Sequence, residues 1–291
     1  MKRGAIIKNI PDRDSNAVIL QVPYEATVSG GTGTKNGPRA IIDMLDFQVE
    51  EWDYLLRRNT SGKVKIIQKK VPVGNLPPEK MVKQVQKKSL GYFSKNKFLV
   101  GLGGEHSVSL GIAAAAKKVF KDITVVQIDA HADLRNDNGD YEDNPKKITK
   151  YAHSCVMRRI YELGCPVVQI GIRSLSPMEN DFIVKENIRR NIFFAPVLTK
   201  FQDIIKKIPT RKVYLTIDVD GFDPSVMPAT GTPEPGGLSW DWGINFFQRL
   251  FSEKEIIGMD IVEVAPKKGE YFTEFCAAKL LYHLIGLKFL N

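Results

Sequence analysis

Eight short runs of apolar and β-branched residues recur along this chain, and they limit its fold more than any other feature. They are 17–22 (AVILQV), 63–71 (KVKIIQKKV), 97–102 (KFLVGL), 123–129 (ITVVQID), 166–172 (PVVQIGI), 191–196 (NIFFAP), 212–219 (KVYLTIDV) and 256–264 (IIGMDIVEV). Helix-like segments such as 77–93 and 107–120 separate many of them, and 273–290 reads as a closing helix. Continuous apolar strands alternating with helices predict a parallel sheet covered on both faces. The expected fold class is therefore α/β, a three-layer αβα arrangement with about eight parallel strands. No repeat, linker or break in composition divides the chain, so a single domain over 1–291 is expected. A chain of 291 residues, 43% of them hydrophobic, can bury such a core without a disulfide or metal staple.

Charge and cysteine usage narrow the class of function. The three cysteines, Cys155, Cys165 and Cys276, form no CxxC pair, which suits a reducing compartment. No 18-residue apolar run and no signal-like apolar segment occurs, so neither a membrane partner nor export is expected and the address reads as cytoplasmic. The net charge of +9 comes from dispersed lysines without interleaved aromatics. That pattern reads as a solvated surface, not as a nucleic-acid face.

In open α/β sheets ligands collect outside the carboxyl ends of the strands. Those ends carry most of the ionisable chemistry here. Glu105 and His106 follow 97–102; Asp129, His131 and Asp133 close 123–129; Asp218, Asp220 and Asp223 close 212–219; Glu263 closes the last run. Alternate residues of an extended strand face one side, so the i, i+2 spacing of 129/131/133 and 218/220 predicts convergent pairs. Carboxylates gathered at one edge repel each other, and burial adds to the cost unless cations neutralise them. Lysine and arginine are scarce inside these motifs, Arg135 being the near exception. A metal is expected instead. Oxygen-rich donors with a minority of imidazole suit Mn²⁺ better than a thiolate-seeking ion. Six donors exceed one tetrahedral site, which predicts two ions about 3.5–4 Å apart.

The motifs GGEHSVSLG, DAHADLR, TIDVDGFDPSVMPATGTPEPGGL and DIVEVAP resemble the ureohydrolase superfamily of arginases and agmatinases, and VPYEATVSGGTGTKNGPRAI resembles its entry segment. The resemblance spans nearly the whole chain. It implies an arginase-like fold, a trimer or hexamer, and two Mn²⁺ per chain. The implied reaction hydrolyses a small cationic guanidino substrate to urea and an amine through a metal-activated hydroxide. Carried over by position, it makes His106, Asp129, His131, Asp133, Asp218 and Asp220 metal ligands, with Asp133 also orienting the nucleophile. Glu263 would accept the guanidinium N–H groups, and His153 in YAHSCVMRR would transfer a proton, its ordinary pKa near 6.5 suiting that role. Arg135 is expected at the substrate. Glu105 is expected to support the ligands and Asp223 to brace its loop, whereas Cys155 and His283 are expected to be structural.

Two features point to agmatinase over arginase. GTPEPGGL (231–238) is the agmatinase-like form of that loop, and Ser174 and Ser176 stand where arginases carry aspartates. Two departures concern the substrate tail: the long loop 136–150 (NDNGDYEDNPKKITK) and APKKGEYFTEF near the end. The expected substrate is agmatine, with putrescine as product. Aminopropylagmatine is the main alternative, followed by guanidinobutyrate or arginine. A single-zinc deacetylase or a catalytically silent relative of the same fold is disfavoured by the full six-donor set together with His153 and Glu263.

Overall fold

The computed structural model describes residues 6–196 and 200–290. In chain order the strands are β1 Ala17–Val22, β2 Trp52–Asp53, β3 Arg58–Asn59, β4 Ile66–Lys70, β5 Phe98–Gly103, β6 Thr124–Ile128, β7 Val167–Ile172, β8 Ile192–Phe194, β9 Lys212–Asp218 and β10 Glu255–Val262. The helices are α1 Gly37–Phe47, α2 Pro78–Phe93, α3 Val108–Phe120, α4 Val156–Glu162, α5 Pro177–Lys185, α6 Phe201–Ile205, α7 Trp240–Glu253 and α8 Phe272–Leu290. All eight predicted runs join one sheet in the order β4-β1-β5-β10-β9-β6-β7-β8, and every pairing in it is parallel. β2 and β3 form a separate antiparallel ribbon that the apolar runs did not predict.

Alternation along each strand divides the core into two layers. In β1, Ala17 and Ile19 face one layer while Val18, Leu20 and Val22 face the other. The first layer is completed by α1, α6, α7 and α8, and the second by α2, α3, α4 and α5. Both faces are covered, so every residue of the central strand β5 is buried. This is why these strands read as continuous apolar runs instead of polar–apolar alternation.

The strand order positions the site. After β5 the chain passes through α3 to β6, leaving two places between them that β10 and β9 later fill. The order β5-β10-β9-β6 therefore sets side by side the four strands whose ends carry the ionisable motifs. Gly104, just past β5, permits the close approach of the neighbouring segment. A Cβ there would lie 1.9 Å from the Tyr24 carbonyl oxygen. Its own N–H donates to Val22 O, and its carbonyl accepts from Glu263 N. Any side chain at 104 would push apart the ends of β1, β5 and β10.

Candidate metal centre and active site

The six predicted ligands converge beyond the four central strands. His106 Nδ1 lies 3.1 Å from Asp129 Oδ2, 3.0 Å from Asp133 Oδ2 and 3.6 Å from Asp218 Oδ2. His131 Nδ1 lies 3.6 Å from Asp129 Oδ1 and 3.1 Å from Asp220 Oδ2. Two donor triads result, His106/Asp129/Asp133 and Asp129/His131/Asp220, and the potential ligand atoms of each lie within 4.8 Å of one another. Asp129 belongs to both and turns a different oxygen to each.

This convergence does not come from strand alternation. β6 ends at Ile128, and Asp133 sits beyond it in the left-handed region at φ 52°. Asp218 closes β9, whereas Asp220 lies in the 3₁₀ turn Val219–Gly221, its N–H bonded to Asp218 Oδ1 at 3.0 Å. Turns aim these side chains, not the pleat. Glu263 also has a positive φ, 64°, just after β10. Such conformations are costly for residues with a side chain and persist where surrounding structure imposes them.

The donor set fits divalent cations. Nδ1 of His106 is buried without a hydrogen-bond partner, although its Nε2 meets Thr216 Oγ1 at 2.9 Å. Thr216 donates onward to Asp260 Oδ1 at 2.7 Å, and the Tyr214 hydroxyl donates to Oδ2 of the same carboxylate. Because Thr216 spends its proton on Asp260, Nε2 of His106 must be the donor to Thr216. In the neutral ring the lone pair would then lie on Nδ1, directed where a metal ligand requires it. Without a metal, burial opposes charging of His106, but Asp129 and Asp133 prevail and raise it well above its ordinary value. Charge tells the same story. Burial and the Asp129 charge push the Asp133 carboxyl up to about 7. Burial and the neighbouring Asp220 and Asp129 charges raise Asp218 well above its ordinary range. Burial opposes charging of His131, but Asp220 and Asp129 prevail and push it up to about 12. Without a cation the cluster has to hold protons.

Glu263 and His153 stand at the same cavity, about 310 Å³, with His131, Asp133, Asp218 and Asp220 in its wall. Glu263 Oε1 accepts the backbone N–H of His106 at 2.7 Å, and burial followed by the Glu105 charge raises its carboxyl. His153 is oriented by a residue 126 positions away. Glu105, fully buried, accepts from the N–H groups of Ala26 and Thr27 through Oε2, and from the hydroxyls of Thr27 and Ser107 through Oε1, at 2.6–2.7 Å. Since the Thr27 proton goes to Glu105, Thr27 Oγ1 can only accept from His153, from its backbone N–H at 3.0 Å and from Nδ1 at 3.4 Å. In the neutral ring the proton is therefore on Nδ1, and Nε2, 3.2 Å from Ser29 Oγ, carries the lone pair. Burial holds His153 below the ordinary histidine range, against the pull of Glu105.

The remaining expected residues separate cleanly. Arg135 lines the cavity with Ser174 and Ser176, but its guanidinium is paired with Asp140. Ser176 also caps α5 in a reciprocal box with Glu179. Asp223 stays clear of the cluster and braces its loop, accepting from Ser225, Gly236 and Gly237, which hold its carboxyl down to about 2. Cys155 is buried, and burial pushes its thiol up to about 12. His283 is paired with Asp53 at 2.7 Å, tying α8 to the ribbon. Sequence reasoning missed Thr27, Tyr141 and the Thr216–Asp260–Tyr214 relay. It also missed Arg173, whose guanidinium donates to the carbonyls of Asp220, Glu234 and Pro235. The signals that could have found the relay are Thr216 and Asp260, polar residues inside otherwise apolar runs.

Comparison with known proteins agrees with this geometry. The arginase family model matches residues 15–286. An N(1)-aminopropylagmatine ureohydrolase of Synechocystis sp. is 39% identical over 285 residues, covering 94% of this chain and 89% of its own. An agmatinase of Pyrococcus horikoshii is 31% identical, covering 94% and 93%. The crystal structure of agmatine ureohydrolase of Thermoplasma volcanium superposes with a TM-score of 0.76 at 27% identity, covering 96% of this chain and 92% of that one. Sequence, fold and the arrangement of donors converge on one assignment: the chain belongs to the arginase family, the ureohydrolases.

Proposed function

We propose that this protein hydrolyses the guanidino group of agmatine to urea and putrescine, with two Mn²⁺ per chain. The observation that carries the reading is the pair of donor triads joined through Asp129, with Glu263 and His153 on the same cavity. His106, Asp129, His131, Asp133, Asp218 and Asp220 would hold the ions. Bound divalent ions supply Lewis acidity and bring the pKa of water toward neutrality. Glu263 binds the guanidinium head by charge-assisted hydrogen bonds, which also favour its ionised form against burial. Asp133 orients the attacking water, and Nε2 of His153, unprotonated at rest, takes up the proton that the water loses and passes it to the departing amine. Ser174, Ser176 and Arg135 form the wall that meets the substrate tail. The family resemblance also supports a homo-oligomer, a trimer or hexamer. The unpaired cysteines suit a cytoplasmic address, and the product suits polyamine synthesis.

Aminopropylagmatine is the second reading, favoured by the name of the Synechocystis relative. The test is a urea assay of Mn²⁺-loaded protein with agmatine, aminopropylagmatine, arginine and guanidinobutyrate in parallel. Urea from agmatine supports the first reading. Release from aminopropylagmatine alone selects the second, and release from arginine alone overturns both.

A further inference from the structure

The long loop after Arg135 is built into the cavity wall. Asn138 is buried and fastens its two limbs: its side-chain oxygen accepts from Thr149 N at 2.7 Å, and its carbonyl accepts from Glu142 N at 3.0 Å. Between these anchors the loop presents Asp140 and Tyr141. Asp140 forms an ion pair with Arg135, whose guanidinium carbon lies 5.5 Å from the centre of the Tyr141 ring. The Tyr141 hydroxyl is bonded to Ser154 Oγ at 2.8 Å, and its ring lies 6.0 Å from the ring of His153. Glu179, 4.0 Å from Arg135 Nε, already accepts from Leu134 N, Ser176 N and Ser176 Oγ.

Arg135 is a cation at a cavity that, on the reading above, admits a positively charged guanidine. A free guanidinium there would attract carboxylate-tailed substrates and repel amine-tailed ones. We infer that Asp140 is a specificity-determining positioning residue: by pairing with Arg135 it cancels and holds the guanidinium, so that the cavity selects guanidines with a cationic amine tail over those with a carboxylate tail. The inference rests on the proposed function and adds the device that sets its substrate class. Tyr141 supports the clamp by covering the guanidinium face, and Ser154 fixes Tyr141 in turn. The rest of this wall adds no second cation: it carries the hydroxyls of Ser174 and Ser176 and the carboxylate of Glu179, whose oxygens are already taken up by Leu134 and Ser176.

The test compares wild type, Asp140→Asn, Asp140→Glu and the double variant Arg135→Gln/Asp140→Asn. Each is titrated calorimetrically, metal-free, with agmatine, aminopropylagmatine and 4-guanidinobutyrate, and each is assayed for urea with Mn²⁺. In Asp140→Asn the affinity ratio of amine to carboxylate tails should fall at least tenfold, with KM moving and kcat held. Asp140→Glu should restore part of the ratio, and the double variant should regain most of it. An unchanged ratio in Asp140→Asn overturns the inference, as does a proportional loss for all three compounds. A double variant that keeps the full loss also overturns it, because Asp140 would then touch the amine directly. Failure of wild type to release urea would instead remove the proposed function, while the metal-free titrations would still decide the role of Asp140.

Discussion

Glu105→Gln tests whether the proton on His153 is placed by the network behind it. The two backbone donors, Ala26 N–H and Thr27 N–H, cannot rotate, so the amide oxygen of glutamine must take the place of Oε2. The amide nitrogen then faces the hydroxyls of Thr27 and Ser107, which have to turn and accept. Thr27 is left with its proton free for His153 Nδ1, and the imidazole proton moves to Nε2. Four charge-assisted bonds become neutral ones, each weaker by about 1 kcal/mol, and easier burial of a neutral amide offsets part of that loss. The fold should survive with a stability loss of about 1–3 kcal/mol. Catalysis should suffer more, because placing the base correctly contributes about 10²–10⁴-fold. Removing the Glu105 charge also lets Glu263 ionise more readily, so KM should not rise while kcat falls. Urea-release kinetics read the split, and ¹⁵N NMR of labelled histidines reads the tautomer. An unchanged tautomer, or a loss confined to KM, would refute the argument.

Other expectations follow from the same geometry. Asp133→Ala should leave the fold intact but reduce bound metal toward one ion per chain and remove most activity; elemental analysis showing two ions with full activity would contradict the two-ion arrangement. Asp260→Asn should weaken metal binding by about 10–100-fold through Thr216 and His106, without touching a donor; a metal titration with wild-type affinity would show the relay to be inert. The Asp53–His283 pair gives a pH prediction. Burial opposes ionisation of Asp53, but hydrogen bonds from His283 and the Leu56 N–H hold its folded carboxyl below the ordinary range. Its stabilisation is therefore complete above the unfolded value near 3.9 and is lost as pH falls through the folded one. The stability gap between wild type and Asp53→Asn, about 1–3 kcal/mol at pH 6, should narrow as pH drops below about 4. Denaturant melts showing a constant gap down to pH 3 would rule this out.

Burial on both faces explains which parts of the fold can be read in the sequence. A strand covered on both faces must be apolar throughout, so all eight strands of the sheet stand out as runs. The ribbon Trp52–Asp53/Arg58–Asn59 does not, because two-residue strands leave no periodicity to read. Strand order is also hidden, since it depends on crossovers that skip positions. That the ends of β5, β6, β9 and β10 are neighbours follows only from β10 and β9 entering between β5 and β6. The candidate ligands themselves were readable because charge at the end of an apolar run is unusual. Their supporting residues were not, since Thr27 and His153, or Thr216 and Asp260, meet only through tertiary structure.

The i, i+2 spacing of the acidic and imidazole residues therefore predicted the right convergence for the wrong reason. If Asp129, His131 and Asp133 continued as a regular strand they would stand in a row along one face, about 7 Å between alternate residues. Such a row could not close two triads around one shared carboxylate. The left-handed turn at Asp133 folds the row back on His106, and the 3₁₀ turn at Val219–Gly221 turns Asp220 toward His131. These turns need external support. Arg173 supplies it on one side by holding the carbonyls around Asp220, and on the other the N–H groups of Met157 and Arg158 hold the carbonyl of Asp133. The departure from strand geometry thus accounts both for the donor arrangement and for the buried hydrogen-bonding groups spent around it.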